Sequence, residues 1–434
     1  MSSLSRRKFL ITAAATTAGS VVLAACGQGG SGTKTSSSTG KSAADKPEVA
    51  GATLGFIALT DASPLIIAKE KGFFAKHGMP DVKVVKQTSW AVTRDNLELG
   101  SDRGGIDGAH ILSPMPLLLT AGKITKTKQP LPMYTLARLN LQGQGISASK
   151  ALLAYKLTAD NKDGLAKASK GLGRKLKAAV TFPGGTHDLW MRYWLSANGI
   201  DPNKDADLVV IPPPQMVANM QTGTMDLFCV GEPWNQRLVN KKLGYTATQT
   251  GELWDKHPEK SFSMRADWVD KNPKAAQALL MAVQEAQVWC QDPANLDELC
   301  EIVSKDKYIK AKVKDIKPRL AGNVNYGDGR DVKNSPYTMV FWDNNASFPY
   351  KSHDAWFVTE DMRWGYLPAD TDIDALVNKV NRADLWKQAA TALGFSKDIP
   401  SSDSRGKETF FDGVVFDPEN PKAYLDSLKI KAMA

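Results

Sequence analysis

The feature that most constrains the fold is an alternation of short apolar runs typical of strands with segments typical of helices. In the first half of the chain, strand-like runs at 53–59, 82–85 and 105–112 enclose predicted helices at 65–74 and from residue 89 onward. Strands that alternate with helices favour an α/β fold with a largely parallel sheet covered by helices.

A second unit of the same kind follows. Strand-like runs at 176–182, 208–211 and 226–230 alternate with predicted helices at 189–197 and 215–220, and the first strand is followed by a tight loop at 183–188. The chain has 434 residues, which is long enough for about two or three domains. Two α/β units with polar loops at their strand ends predict two lobes that face a cleft.

Composition excludes several classes of protein. With 42% hydrophobic and 23% charged residues, the chain is not a collagen, a coiled coil, a disordered protein or a small disulfide scaffold. The net charge of +9 slightly favours small anions or an anionic membrane surface as partners. It gives little support to nucleic acid binding, and we expect no nucleic acid partner.

The first 25 residues are predicted to be a secretory signal. Arg6, Arg7 and Lys8 precede an uncharged run of small and apolar residues that ends in Leu-Ala-Ala before Cys26. A basic start, a short apolar stretch and small residues at the end are typical of such signals, and the paired arginines resemble a twin-arginine signal. The alternative is an uncleaved membrane anchor, for which the uncharged run is barely long enough.

Cys26 ends a sequence that resembles the bacterial lipoprotein box, in which the cysteine carries the acyl chains. The residues that follow it are rich in Gly, Ser and Thr, and such a composition predicts a disordered tether. We therefore divide the start of the chain into a signal at 1–25 and a lipidated tether at 26–51.

The other cysteines indicate no metal site. Cys290 and Cys300 could form a local disulfide or remain reduced thiols, and the sequence does not decide between the two. Cys229 lies in an apolar strand-like run, which favours a buried structural role. We find no Cys-x-x-Cys and no paired-His spacing, so we expect neither a metal nor a cofactor.

The loop at 183–188 is a candidate anion site. Gly185 and Thr186 come just before a predicted helix, and the first turn of a helix presents unpaired N–H donors and a partial positive charge. Thr186 can donate a hydrogen bond, and the imidazole of His187 could reach the same ligand. The alternative is an ordinary turn between a strand and a helix, and the residues alone favour neither.

Three further residues have structural alternatives. Trp90 could line a pocket with its indole N–H or belong to the core. Gln144 stands between two glycines, which by itself predicts a turn, and Lys260 by itself would be a solvated surface lysine. We find no nucleophilic motif and no zinc-protease motif, so we expect a binding protein rather than an enzyme.

Long stretches of the chain resemble the nitrate- and bicarbonate-binding lipoproteins of cyanobacterial ABC importers. The resemblance covers nearly the whole chain from residue 52 onward. The segments that carry it are LGFIALTDASPLIIAKEKGF at 54–73, GGIDGAHIL at 104–112, VTFPGGTHDLWMRY at 180–193, CVGEPW at 229–234, YKSHDAWF at 350–357, RWGYLP at 363–368 and FDGVVFDPENPKAYLDSLK at 411–429.

The resemblance implies a two-lobed periplasmic-binding-protein clamp and a set of ligand residues. In the nitrate-binding members a tryptophan, a glutamine, a histidine and a lysine hold the anion, and these match Trp90, Gln144, His187 and Lys260. The bicarbonate-binding members carry an acidic residue at the lysine position and bind calcium beside the ligand. Lys260 therefore implies nitrate, and nitrite along with it, and bicarbonate is the alternative ligand.

The family's architecture implies the remaining expectations. We expect the first lobe at 52–145, the second lobe at 146–250, and a return to the first lobe with a C-terminal extension at 251–434. The implied partners are a membrane permease with its ATPase subunits, and the implied location is the periplasmic face of the inner membrane. An enzyme on a similar clamp and a regulatory anion sensor are the alternatives from other classes.

Overall fold

The computed structural model describes residues 46–433, in which strands and helices alternate along most of the chain. The strands are β1 Thr53–Phe56, β2 Lys83–Lys86, β3 Gly108–Leu112, β4 Met133–Arg138, β5 Gln144–Ser149, β6 Leu176–Val180, β7 Ala206–Val210, β8 Leu227–Gly231, β9 Gly244–Gln249, β10 Lys260–Arg265, β11 Val324–Asn325, β12 Asp331–Val332, β13 Glu408–Thr409 and β14 Val415–Phe416.

The helices cover both faces of the sheets. They are α1 Ser63–Glu70, α2 Phe73–Lys76, α3 Trp90–Leu99, α4 Met115–Thr120, α5 Lys162–Gly171, α6 Thr186–Ala197, α7 Met216–Gln221, α8 Trp234–Asn240, α9 Ala266–Lys271, α10 Pro273–Gln291, α11 Leu296–Ser304, α12 Val313–Leu320, α13 Lys351–Arg363, α14 Ile373–Val380, α15 Ala383–Ala392 and α16 Pro421–Ser427. In the described part of the chain, none of them is long and apolar enough to cross a membrane.

Ten of the strands form two five-stranded sheets with the same plan. The first sheet has the order β2-β1-β3-β10-β4 and the second the order β7-β6-β8-β5-β9. In each sheet four strands run in the same direction, and the fourth strand in the order, β10 or β5, runs antiparallel to both of its neighbours. The α/β prediction is confirmed, and each largely parallel sheet contains one antiparallel strand that the sequence did not predict. β10 comes from far along the chain and pairs between β3 and β4.

Local sequence explains several element boundaries. The Ser89 side chain accepts a hydrogen bond from the Val92 N–H at 3.2 Å and caps the start of α3, as serine does at many helix starts. The helix predicted at 65–74 is divided between α1 and α2 by Gly72, whose φ of 74° suits glycine. The predicted loop at 183–188 is shorter than expected, because α6 already begins at Thr186.

The structure contains two hydrophobic cores, and the first extends from the first sheet to β8, α7 and α8. The first contains residues of β1, β3 and β10 together with α10, and the second contains residues of β6 and α6 together with α13. Part of the C-terminal segment therefore packs on the second core, through Trp356, Phe410 and Tyr424. The lobe boundaries at 52–145, 146–250 and 251–434 remain a prediction.

The cysteine predictions can be compared directly with the structure. Cys229 is fully buried in β8, as expected, and Cys290 and Cys300 are free, buried thiols rather than a disulfide. The signal at 1–25, the lipidated Cys26 and most of the tether at 26–51 lie outside the described residues.

A buried ion pair ties the first sheet to α13. Arg138, at the end of β4, is completely buried and pairs with the Asp354 carboxylate, while its Nη1 donates to Ser261 Oγ at 2.6 Å. The second carboxylate oxygen of Asp354 accepts a hydrogen bond from Asn381 Nδ2 at 2.7 Å. The network satisfies both carboxylate oxygens and fixes where α13 crosses the end of β4.

We expect Asp354→Ala to lower the free energy of unfolding by about 3–5 kcal/mol, because it leaves a buried guanidinium without its partner. Urea denaturation followed by circular dichroism measures the loss. The control is Asp426→Ala, which breaks the exposed pair with Lys422 and should change stability by less than about 1 kcal/mol. Equal effects of the two substitutions would contradict this role of Asp354.

Candidate functional site

Polar and charged side chains from both sheets meet in one buried cluster, which we call the junction cluster. The first sheet contributes groups at the ends of its strands, and the second contributes the start of β5 and the first turn of α6. Its members, all between 0 and 2% exposed, are Asp61, Trp90, His110, Gln144, Thr186, His187, Glu259 and Lys260. The sequence-predicted ligand residues Trp90, Gln144, His187 and Lys260 are thus together in space.

Glu259 lies at the centre of the junction cluster. Its Oε1 accepts a hydrogen bond from Thr186 Oγ1 at 3.0 Å and lies 3.1 Å from His187 Nε2. Its Oε2 pairs with the Lys260 ammonium. Burial by itself would raise the pKa of Glu259, but the charge of Lys260 and these hydrogen bonds outweigh burial and lower it. Glu259 is therefore an ionised carboxylate.

Lys260 is the fixed positive charge of the cluster. Its Nζ lies between two carboxylates, 3.0 Å from Asp61 Oδ2 and in contact with Glu259. It also lies 5.8 Å from the centre of the Trp90 ring, within reach of a cation–π interaction. The interpretation of Lys260 as a solvated surface lysine is wrong, because its side chain is completely buried.

Gln144 links the cluster to the aromatic core of the second sheet. In the amide orientation that satisfies its neighbours, its oxygen accepts from Trp190 Nε1 at 2.6 Å. Its nitrogen then lies 2.6 Å from Glu259 Oε1 and 2.8 Å from His187 Nε2. The interpretation of Gln144 as a turn residue is wrong, since it is the first residue of β5. Its amide N–H groups point at the carboxylate.

His187 lies in the first turn of α6 and is completely buried. Its Nδ1 is 2.5 Å from Thr181 Oγ1. Burial, and next the charge of Lys260, lower its pKa, although Glu259 acts in the opposite sense. A neutral ring accepts from Gln144 or donates to Glu259 at Nε2, according to which nitrogen carries the proton.

Gly185 brings the start of α6 close to the first sheet. It precedes α6 as its N-cap residue, and a Cβ at this position would lie 2.5 Å from Leu112 Cδ1 of β3. Any larger residue here would have to push the buried Leu112 side chain aside. Gly185 therefore acts through close packing, while the neighbouring Thr186 hydroxyl donates directly into the cluster.

Trp90 and His110 complete the cluster on the side of the first sheet. Trp90 is fully buried, and among the described residues its Nε1 has no hydrogen-bond partner. Its ring centre lies 5.4 Å from that of His110, whose Nε2 is 2.6 Å from Asp61 Oδ1. A buried N–H without a partner costs about 1–3 kcal/mol. Trp90 is therefore a core residue whose indole N–H is available as a donor next to the cluster.

Sequence reasoning missed Asp61, His110 and Glu259. Asp61 occupies the turn after β1, and His110 lies within β3, so both stand where polar groups often serve a site at a sheet edge. Glu259 immediately precedes β10 and was read only as a neighbour of Lys260. Consecutive residues within a strand point to opposite faces, so the alternation pattern does not predict that Glu259 and Lys260 lie in one cluster. Glu259 is outside β10 and precedes it directly.

The arrangement is chemically suited to hold a small anion. Hydroxyl, amide, imidazole and ammonium groups converge on one trigonal carboxylate, and an indole N–H faces the same cluster. Among the described residues, no group of three or more His, Cys, Asp or Glu side chains has the geometry of a metal site.

We expect the folded protein to lose stability as pH falls from about 6.5, the ordinary histidine pKa. Burial lowers the pKa of His110, His187, His257 and His353, to about 4 for His257. Between these values and the ordinary pKa, the unfolded chain binds protons that the folded chain does not, so the free energy of unfolding rises with pH. Each such histidine contributes up to about 1.4 kcal/mol per pH unit.

Urea unfolding between pH 7.5 and pH 5 measures this slope, in a range above the ordinary pKa values of the carboxyl groups. The buried carboxyl groups of Asp361 and Glu232, whose pKa burial raises, act in the opposite sense. His257→Gln should reduce the slope by the contribution of one proton. A free energy of unfolding that stays constant over the range would show that the histidines take up protons in the folded protein as readily as in the unfolded chain.

The NMT1-like family matches residues 45–304. The chain is 71% identical to the nitrate/nitrite binding protein NrtA of Synechococcus elongatus, over 100% of both chains. It is 45% identical to the bicarbonate-binding protein CmpA of the same species, over 99% of this chain and 98% of that protein.

Two further comparisons concern the fold and the transport system. The crystal structure of the periplasmic nitrate-binding protein NrtA from Synechocystis PCC 6803 superposes with a TM-score of 0.87 at 59% identity, over 89% of this chain and 100% of that one. The nitrate import ATP-binding protein NrtC of Synechocystis is 35% identical over 87% of this chain, which corresponds to 55% of that protein.

Proposed function

Because this chain belongs to the NMT1-like family and shares its fold with a periplasmic nitrate-binding protein, we propose that it is the solute-binding protein of an ABC importer. It captures nitrate, and nitrite by the same donors, and delivers the anion to the membrane permease. One observation carries the proposal above all. The side chains of Lys260, Gln144, His187 and Thr186 converge from two sheets on the Glu259 carboxylate, which is a planar anion as nitrate is.

Nitrate matches the chemistry of the junction cluster. It is a planar, weakly basic monoanion with three acceptor oxygens, so it needs several donors and one fixed positive charge but no proton acceptor. Lys260 supplies the charge, and Trp90, Gln144, Thr186 and His187 supply neutral donors. Nitrite has the same needs with one oxygen fewer.

Bicarbonate is supported less well. The relative named for bicarbonate is 45% identical, against 71% for the relative named for nitrate and nitrite. Lys260 also holds its ammonium between the Asp61 and Glu259 carboxylates. A cation that belongs to the chain thus occupies the position between two acidic groups, which favours an anion bound without calcium.

The two sheets suggest how capture proceeds. The donors of Gln144 and His187 belong to the second sheet and its helix α6, whereas Lys260 and Trp90 belong to the first sheet and its helix α3. An anion that bonds to both groups favours the closed arrangement over an open one, as in hinge closure around other ligands. The closed form would dock on the permease, and no chemical step on the ligand is required.

The location follows in two steps. The relative whose structure is known is periplasmic, and we propose the same compartment for this chain. We further propose that Cys26 carries the lipid after removal of residues 1–25, and that residues 26–51 form the leash to the inner membrane.

We expect Lys260→Gln to weaken nitrate binding by roughly a hundredfold or more, since an ion contact at about 4 Å is worth about 4 kcal/mol before desolvation. Isothermal titration of anion-stripped protein with nitrate, nitrite, and bicarbonate with and without calcium measures the effect. The control, Lys256→Gln, removes the same charge from an exposed lysine four residues earlier and should leave the affinity unchanged.

Circular dichroism and thermal melting establish that Lys260→Gln is folded before titration. Wild-type affinity in the folded variant would contradict the role of Lys260. Binding of bicarbonate only with calcium, with no heat from nitrate, would replace nitrate by bicarbonate as the ligand.

We expect Cys26→Ser to release the protein from the membrane fraction, because the substitution removes the thiol that would be acylated. Metabolic labelling with a radioactive fatty acid and fractionation of cells follow the change, and Cys229→Ser serves as a control at a buried thiol. A Cys26→Ser protein that stays labelled and membrane-bound would refute the lipid anchor.

A further inference from the structure

The Glu259 carboxylate bridges the two sheets in the way that a bound anion would. Its Oε1 faces donors that belong to the second sheet and α6: Thr186 Oγ1 at 3.0 Å, the Gln144 amide at 2.6 Å and His187 Nε2 at 3.1 Å. Its Oε2 pairs with Lys260 at the start of β10 in the first sheet. A carboxylate presents its oxygens in a plane, as nitrate does.

The net charge of the junction cluster disfavours a second anion beside the Glu259 carboxylate. Lys260 is one positive charge, whereas Asp61 and Glu259 are two negative charges that contact it. Burial lowers the pKa of both His110 and His187, so neither supplies a further cation. The formal balance is therefore negative, and two anions in contact repel strongly where water is excluded.

We propose that Glu259 is a built-in competitor for the anion. In the ligand-free protein its carboxylate takes the hydrogen bonds of Gln144, Thr186, His187 and Lys260 and holds the two sheets together. An external anion binds by displacing the carboxylate from these donors. The inference rests on the proposed function, since it assigns a regulator to the same site.

This role has two measurable consequences. The intrinsic affinity of the donors for an anion is reduced by the cost of displacing Glu259, because the binding-competent arrangement is only a fraction of the ligand-free population. The ligand-free protein is also held closed by a bond within the chain. Removing the carboxylate should therefore tighten anion binding and open the ligand-free form.

The test compares wild type with Glu259→Gln and with the matched control Glu360→Gln. Glu360 is also a fully buried carboxylate, paired with Arg363 at 3.1 Å on α13. It accepts its hydrogen bonds from Arg363, Trp364 and Tyr424, which are not members of the junction cluster. Isothermal titration of anion-stripped protein gives the nitrate affinity, and small-angle X-ray scattering without ligand gives the radius of gyration.

We expect Glu259→Gln to bind nitrate about tenfold more tightly than wild type and to show a larger ligand-free radius of gyration that contracts when nitrate is added. Glu360→Gln should match wild type in both measurements. Glu259→Ala is the second variant: it removes the bridging oxygens altogether, so the ligand-free expansion should persist even if the glutamine packs poorly.

Wild-type protein that binds nitrate, together with Glu259 variants that bind it no more tightly and scatter as wild type does, would overturn the inference and leave the proposed function intact. Wild-type protein that binds no nitrate would instead overturn the proposed function. The scattering of the ligand-free variants then still decides whether Glu259 holds the two sheets together.

Discussion

The structure depends on the pairing of one buried ammonium group. Lys260 is completely enclosed at the point where the two sheets meet, and an isolated charge in such a place would be strongly destabilising. Asp61, from the turn after β1, and Glu259, from the bend before β10, surround it. Glu259 also accepts a hydrogen bond from Thr186 of α6. The same carboxylate therefore neutralises the Lys260 charge and connects the two sheets.

The Gln144 amide of the second sheet is held in place by aromatic residues that are distant from it in sequence. Trp190 donates its indole N–H to Gln144, and its ring stacks on Trp356 of α13 at a centroid distance of 5.1 Å. Trp254 packs against both of these rings. A flexible amide is thereby fixed by three rigid aromatic side chains. The C-terminal segment thus contributes to the geometry of the junction cluster through Trp356.

Sequence patterns predicted the order of the elements better than their pairing. The runs around β1, β2 and β3, and around β6, β7 and β8, were found because local alternation marks them. The strands β4, β5, β9 and β10 were missed, since their pairing is antiparallel and joins distant parts of the chain. The early start of α6 was missed because Gly185 and Thr186 resemble loop residues.

Lys260 was singled out only by resemblance to a family, because nothing local to it indicates burial. Glu259 was not singled out at all, because its role depends on contacts with Gln144, Thr186 and His187, which belong to the second sheet and α6.

The glycine before α6 sets how closely that helix approaches the first sheet. With no side chain at Gly185, the start of α6 lies near Leu112 of β3, where a Cβ would come within 2.5 Å of the leucine Cδ1, and compact packing leaves little space for it. The reach of the Thr186 hydroxyl into the junction cluster therefore depends on the missing side chain one residue earlier.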